Sequence, residues 1–249
     1  MRLRFRDAVV WRYAIASISK IIEEAGFKVD PEKGLVLRAM DPSTVVLVEF
    51  TMPRDAFSIY EVEGERFIGV NMEELAKVLK RARKGDELLL EVSGDGRLSV
   101  VFEGRGSRRF TLPSIELTHE ELPEVSFEVG FKGRMLPKVF RDVISEVEPV
   151  SDAVEFSAVK GEGKLVVASR SEVAEAEIEL SASEGALIEH EITEDSRAKY
   201  TVDYLTDISS ASQAAELMSV EFGNDTPLKL TYELSGGGRL VFYVAPREE

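Results

Sequence analysis

From residue 7 to 25 apolar side chains recur every three or four positions, at Val10, Tyr13, Ala14, Ile18, Ile21, Ile22 and Ala25, with Ser17 on the same face. That spacing predicts an amphipathic helix. The period then shortens. Gly26 to Val29, Gly34 to Met40 and Val45 to Met52 read as short strands, punctuated by Asp30-Pro31 and Asp41-Pro42. A strand near Arg66 to Val70 runs into a second helix, Met72 to Arg83, with an apolar stripe of Leu75, Ala76, Val78, Leu79 and Ala82. Strands at Glu87 to Val92 and Leu98 to Glu103 are joined by Gly94-Asp95-Gly96, a hairpin signal.

The second half repeats this order about 130 residues downstream. Arg134 to Val147 reads as a helix, carrying Leu136, Val139, Phe140, Val143, Ile144 and Val147 on one side. Strands follow at Ala153 to Val159, Lys164 to Ser169 and Val173 to Leu180. A short helix, Val202 to Ala214, precedes strands at Met218 to Phe222, Pro227 to Leu234 and Leu240 to Val244. Between the halves, 112–129 contains Pro113, Pro123 and the run His119-Glu120-Glu121, with no sustained period, and reads as a linker. The expected fold class is therefore α+β. Two similar domains, 1–111 and 130–249, each set two helices against antiparallel strands.

Composition narrows the function. The chain has 249 residues, no cysteine, two histidines and a net charge of −15. Disulfides, thiolate chemistry and cysteine metal sites are excluded. His119 and His190 are far apart, and neither has a second histidine at zinc-ligand spacing, so no metal is expected. No apolar run approaches the roughly 18–20 residues of a membrane span, and the N-terminus lacks the features of a secretion signal. An intracellular protein of the cytoplasm or nucleoid is expected, without a membrane partner. Few amides and many Glu, Lys and Arg give a composition like that of thermophile proteins. There is no phosphate loop ending in GK[ST] and no G-x-S-x-G elbow. Gly104-Arg105-Gly106 lacks the third glycine of a dinucleotide fingerprint. An enzyme is not expected, and no cofactor.

Leu35 to Met52 reads LVLRAMDPSTVVLVEFTM, and this resembles the first-domain signature of PCNA-type DNA sliding clamps, the archaeal and eukaryotic processivity factors. Three further segments agree in order: Gly69-Val70-Asn71-Met72, Phe140-Arg141-Asp142 and Val244-Ala245-Pro246-Arg247-Glu248. The resemblance covers essentially the whole chain. It implies two clamp domains per subunit, three subunits per ring, helices inside and sheets outside. It also implies a ring that encircles duplex DNA without reading sequence, is placed by a clamp loader, and tethers DNA polymerase, flap endonuclease and DNA ligase through short peptide motifs.

The net negative charge opposes a nucleic-acid partner only if the charge is evenly spread. It is not. Lys77, Lys80, Arg81, Arg83 and Lys84 stand against only Glu73 and Glu74, and Arg12, Lys20, Lys138 and Arg141 lie on other helices. These nine cations are the expected DNA-facing set. The fourth helix carries no basic residue, which predicts an uneven lining. Arg105, Arg108 and Arg109 beside one candidate edge strand, and Glu175, Glu177 and Glu179 along another, suit a head-to-tail contact. By resemblance, Met40, Thr44, Val45, Leu122, Pro123, Pro227, Tyr243, Val244, Ala245 and Pro246 form a groove for partner peptides. Thr44 departs from the histidine common in relatives. Identical or paralogous ring partners both remain open. The alternative reading is a clamp-fold interaction scaffold that does not encircle DNA.

Overall fold

The computed structural model describes residues 1–94, 96–117 and 122–247. Asp95 of the expected hairpin, the run His119-Glu120-Glu121 and Glu248 lie outside the described residues.

The first half comprises β1 (Arg2–Phe5), α1 (Ala8–Ile18), β2 (Glu24–Asp30), β3 (Gly34–Met40), β4 (Val46–Pro53), β5 (Phe57–Glu61), β6 (Arg66–Asn71), α2 (Met72–Leu79), β7 (Glu87–Val92), β8 (Leu98–Gly104) and β9 (Gly106–Leu112). The second comprises β10 (Phe131–Met135), α3 (Pro137–Val147), β11 (Ala153–Ala158), β12 (Lys164–Arg170), β13 (Glu175–Ser181), β14 (Glu189–Ile192), β15 (Ser196–Thr201), α4 (Val202–Ser209), β16 (Ala215–Phe222), β17 (Leu228–Leu234) and β18 (Arg239–Val244). Each half runs strand, helix, five strands, helix, three strands. The repeat read from the sequence is real at the level of every element.

Among the described residues the strands form three antiparallel sheets. β5-β1-β7-β8-β9 belongs to the first half and β13-β12-β11-β15 to the second. The third, β14-β10-β16-β17-β18-β4-β3-β2-β6, combines the second half's five-stranded set with the first half's four-stranded one. The junction is β18 against β4, antiparallel from Arg239 opposite Thr51 to Val244 opposite Val46. Leu240, Phe242 and Val244 meet Val46, Val48 and Phe50 there, and all six are fully buried.

The chain leaving each half folds back the same way. After β9, the Ile115 N–H donates to the Gly69 carbonyl at 3.0 Å, and after β18 the Arg247 N–H donates to the Lys199 carbonyl at 2.7 Å. Each bond occupies a main-chain acceptor at a sheet edge, β6 in one half and β15 in the other.

Element boundaries correct the sequence reading in four places. The first helix stops at Ile18, where the Ser19 hydroxyl bonds the Ala16 carbonyl. The apolar period continues past it because a turn buries Ile22 and β2 buries Ala25. The second helix stops at Leu79, although Ala82 still packs into the core. Arg134 and Met135 belong to β10, and the third helix begins only at Pro137, whose fixed φ suits the first helical position. The fourth ends at Ser209 and passes into a 3₁₀ turn, Ser210–Gln213.

Tyr232 on β17 is fully buried and packs edge-on to Phe242 at 6.1 Å. Its hydroxyl has no hydrogen-bond partner among the described residues, and burial pushes its pKa up. Two substitutions follow with opposite outcomes in guanidinium denaturation. Tyr232→Phe removes an unsatisfied group and should be neutral or stabilising by up to about 1–2 kcal/mol. Phe242→Ala empties the sheet junction and should destabilise by about 3–5 kcal/mol.

Candidate nucleic-acid interface and partner groove

The four α-helices among the described residues form one layer: α1 packs on α2, α3 on α4, and α1 on α4. Each buries an apolar face, as Leu75 and Leu79 do on α2 and Phe140, Val143 and Ile144 on α3. The expected DNA-facing cations lie on α1, α2 and α3 and in the turns after α1 and α2, and the structure sorts these into two groups.

The first group is already paired within the chain. Lys77 reaches Glu73 and Glu74, both at 2.8 Å, and these two carboxylates, Glu73 foremost, hold its ammonium above the ordinary lysine range. Both also lie in the first turn of α2, where the helix dipole favours negative charge. Lys138 and Arg141 share Asp142, whose carboxyl is held below its usual range chiefly by Lys138. Lys20 bridges to Asp207 of α4 at 3.2 Å. Arg12 donates to the Ala82 carbonyl at 3.1 Å and lies over the Tyr13 ring, fastening α1 to the turn after α2.

The second group is Lys80, Arg81, Arg83 and Lys84. All four are exposed, and among the described residues their side chains face no carboxylate within ion-pair distance. The sequence reading carried the second helix through Lys80 and Arg81 to Arg83. Because α2 ends at Leu79, Lys80 is instead the C-cap, and Arg81, Arg83 and Lys84 occupy the turn into β7. Asp86 shapes that turn by accepting from the Arg83 N–H at 2.8 Å. The fourth helix, expected to lack basic charge, is acidic: it carries Asp203 and Asp207.

The groove residues gather around the β18–β4 junction. Asp41, buried at the end of β3, accepts from the N–H groups of Ser43, Val45 and Val46 at 3.1, 2.7 and 2.6 Å, and from the Tyr204 hydroxyl at 3.3 Å. These bonds wind the loop tightly enough to put Thr44 at φ 58°, in the left-handed region. The loop presents exposed Thr44 and half-buried Val45, and the Ala245 N–H donates to the Val45 carbonyl at 2.8 Å. Pro246 continues beside it, and Pro227 precedes Leu228, which pairs with Val244. Val244 itself is fully buried and belongs to the core. Tyr243 is partly buried, which raises its pKa. Met40 and Leu122 line a cavity of about 640 Å³ on the other side, with Ala39, Phe67 and Leu117. Leu122 and Pro123 are held there by Arg38, which the sequence reading did not single out. The ten groove residues therefore flank one junction without sharing one cavity.

The two edge segments are the last strands of their sheets, β9 and β13. Their charges are balanced within the chain. Glu175 and Glu177 pair with Arg170 at 2.6 and 2.9 Å, and Glu179 with Lys164 at 2.6 Å. Arg109 pairs with Glu91 at 2.7 Å, and Arg108 pairs with Asp86 while lying over the Phe102 ring. Arg105, at the exposed hairpin between Gly104 and Gly106, makes no such pair among the described residues. The basic and acidic edges expected from the sequence thus have all their named ions but Arg105 paired within the chain, among the described residues.

Among the described residues no helix is long and apolar enough to cross a membrane, and no cluster of three metal-ligating side chains occurs.

Comparison with known proteins agrees with this architecture. The family model for the proliferating cell nuclear antigen N-terminal domain matches residues 1–124, and that for the C-terminal domain matches residues 123–247. DNA polymerase sliding clamp 3 of Aeropyrum pernix is 44% identical over 249 residues, covering 100% of this chain and 98% of the relative. The DNA polymerase sliding clamp of Thermofilum pendens is 36% identical over 246 residues, covering 98% of each chain. Among solved structures, a PCNA2–PCNA3 complex from Sulfolobus tokodaii matches with a TM-score of 0.93 at 34% identity, covering 100% of each chain. PCNA from Thermococcus kodakaraensis matches with a TM-score of 0.93 at 32% identity, covering 99% of each. With both domain models matched end to end, and the same fold in relatives of this similarity, the chain belongs to the proliferating cell nuclear antigen family of sliding clamps.

Proposed function

We propose that this protein is a DNA sliding clamp, one subunit of a ring that encircles duplex DNA and tethers replication and repair enzymes, acting by binding and without catalysis. In this reading 1–111 and 130–249 are the clamp domains and 112–129 connects them, with a clamp loader, DNA polymerase, flap endonuclease and DNA ligase as intracellular partners.

The observation that carries the ring is the internal repeat. Cross-strand pairing runs Leu3, Leu90, Val100, Phe110 in the first half and Gly133, Val220, Leu230, Phe242 in the second. Phe110 of β9 thus holds the place of Phe242 in β18. The series Phe27, Leu37, Phe50 and Phe156, Val167, Ile178 equate β13 with β4 in the same way. Within the chain β18 pairs with β4. Among the described residues their equivalents, β9 and β13, each lack a neighbour on one side. A second copy supplies it, by a head-to-tail contact that closes when its rotation permits.

The equivalence also sets a register. Phe242 faces Val48, two residues before Phe50. Phe110 would then face Ala176 of the partner subunit, Arg109 would face Glu177 of the partner subunit, and Ser107 would face Glu179 of the partner subunit. Arg109 and Glu177 would enlarge pairs that each already makes at home.

The helix layer would face the DNA. Lys80, Arg81, Arg83 and Lys84 are the cations most available to phosphates, because they surrender no carboxylate on binding. Contacts of this kind position without reading bases. The acidic α4 favours the second reading, a clamp-fold scaffold that assembles without encircling DNA.

Three experiments test these assignments. Lys80→Ala with Arg81→Ala should lower the slope of log affinity against log salt by about 2, whereas Lys138→Ala should change it by less than about 1. Retention on nicked circular DNA that survives linearisation would favour the scaffold. Light scattering should show Arg109→Glu and Glu177→Arg each weakening self-association, with the double swap restoring it by about 1 kcal/mol or more of coupling. A wild-type chain that stays monomeric would instead point to paralogous partners.

A further inference from the structure

The segment joining the halves must be held in place for the groove beside it to have a defined wall, yet its sequence offers little to hold it by. Pro113 and Pro123 have no N–H, and residues 116–128 include three carboxylates among the described positions, Glu116, Glu124 and Glu128, none paired to a cation there, and apolar side chains that are mostly half-exposed. Its ends are fixed: the Ile115 N–H bonds Gly69, and the Gly130 N–H bonds the Phe222 carbonyl at 3.0 Å. Between those ends, the Thr193 hydroxyl donates to the Val129 carbonyl at 3.3 Å next to the Gly130 anchor, and the other hydrogen bonds described from the body of the molecule come from Arg38.

Arg38 lies on β3 directly opposite Glu49 of β4. Its Nε donates to Glu49 at 2.6 Å, which orients the guanidinium plane. One terminal nitrogen then donates to the Leu122 carbonyl and the other to the Pro123 carbonyl, the latter at 2.6 Å. A planar fork whose stem is fixed by a carboxylate fits two successive carbonyls in a way a lysine ammonium does not. Leu122 is thereby brought over the cavity it shares with Met40, Phe67 and Leu117.

We infer that Arg38 is the positioning residue of the connecting segment and, through Leu122, of one wall of the partner groove. This rests on the groove reading above for its consequence, but not for the clamp itself. Releasing Arg38 frees the segment to leave the sheet, and a partner peptide must then order it at the moment of binding.

The chain has no cysteine, so Glu124→Cys gives a single spin label within the segment. Arg38→Ala should sharpen the label's spectrum toward fast motion, Arg38→Lys should fall between it and wild type, and the far-ultraviolet spectrum should stay unchanged. In parallel, a fluorescent synthetic peptide with one leucine and two phenylalanines on one helical turn should bind Arg38→Ala about tenfold more weakly and Arg38→Lys about threefold more weakly. An unchanged label spectrum in Arg38→Ala overturns the inference. A mobile label with unchanged peptide affinity overturns the link to the groove. Should wild type fail to bind the peptide, the groove reading fails, and label mobility still decides the role of Arg38. If Arg38→Ala does not fold, Arg38→Lys and Arg38→Gln carry the same comparison.

Discussion

Everything distinctive in this molecule depends on one run of main-chain pairing, β18 against β4. Two half-molecules with the same element order could exist as beads on a string. The six residue pairs between Arg239–Thr51 and Val244–Val46 turn them into one body with a single nine-stranded sheet. An unpaired edge strand exposes a row of N–H and C=O groups, and pairing two edges satisfies both rows while burying the alternate side chains. The loop held by Asp41 and the tail that bonds Val45 both sit at one end of this run, so the candidate groove exists only where the halves meet.

Much of the fold was legible because most helices and central strands announce themselves by period. Several short strands were not. β1 is only Arg2-Leu3-Arg4-Phe5, and although Leu3 and Phe5 are buried, two alternations make no pattern against a charged background. β10 contains Gly133, and β14 is Glu189-His190-Glu191-Ile192, sequences that resemble loops until a neighbouring strand claims them. Helix ends were overrun for the reverse reason, since Ile22 and Ala82 keep the apolar period while the backbone has already turned.

The candidate site was legible in its ingredients and not in its pairings. Clusters of Lys and Arg stand out in a chain of net −15. Which of them is neutralised depends on tertiary contact, as with Lys20 and Asp207, or Arg109 and Glu91. Such exposed pairs contribute little to stability, yet they decide where positive potential survives, leaving it at the end of α2. Tyr204 bonding Asp41, and Arg38 holding Leu122, join segments far apart in sequence and have no signature in either one.

The two halves share a skeleton but have diverged along their free margins. Counting along the paired strands, Arg170 stands where Met40 does in the other half, and Thr111 where Tyr243 does. A closed assembly of such chains would alternate two kinds of seam. One is greasy and lies within a single polypeptide, and the other is salty and joins separate ones. In the proposed ring, the place where the circle parts would then be written into every second seam.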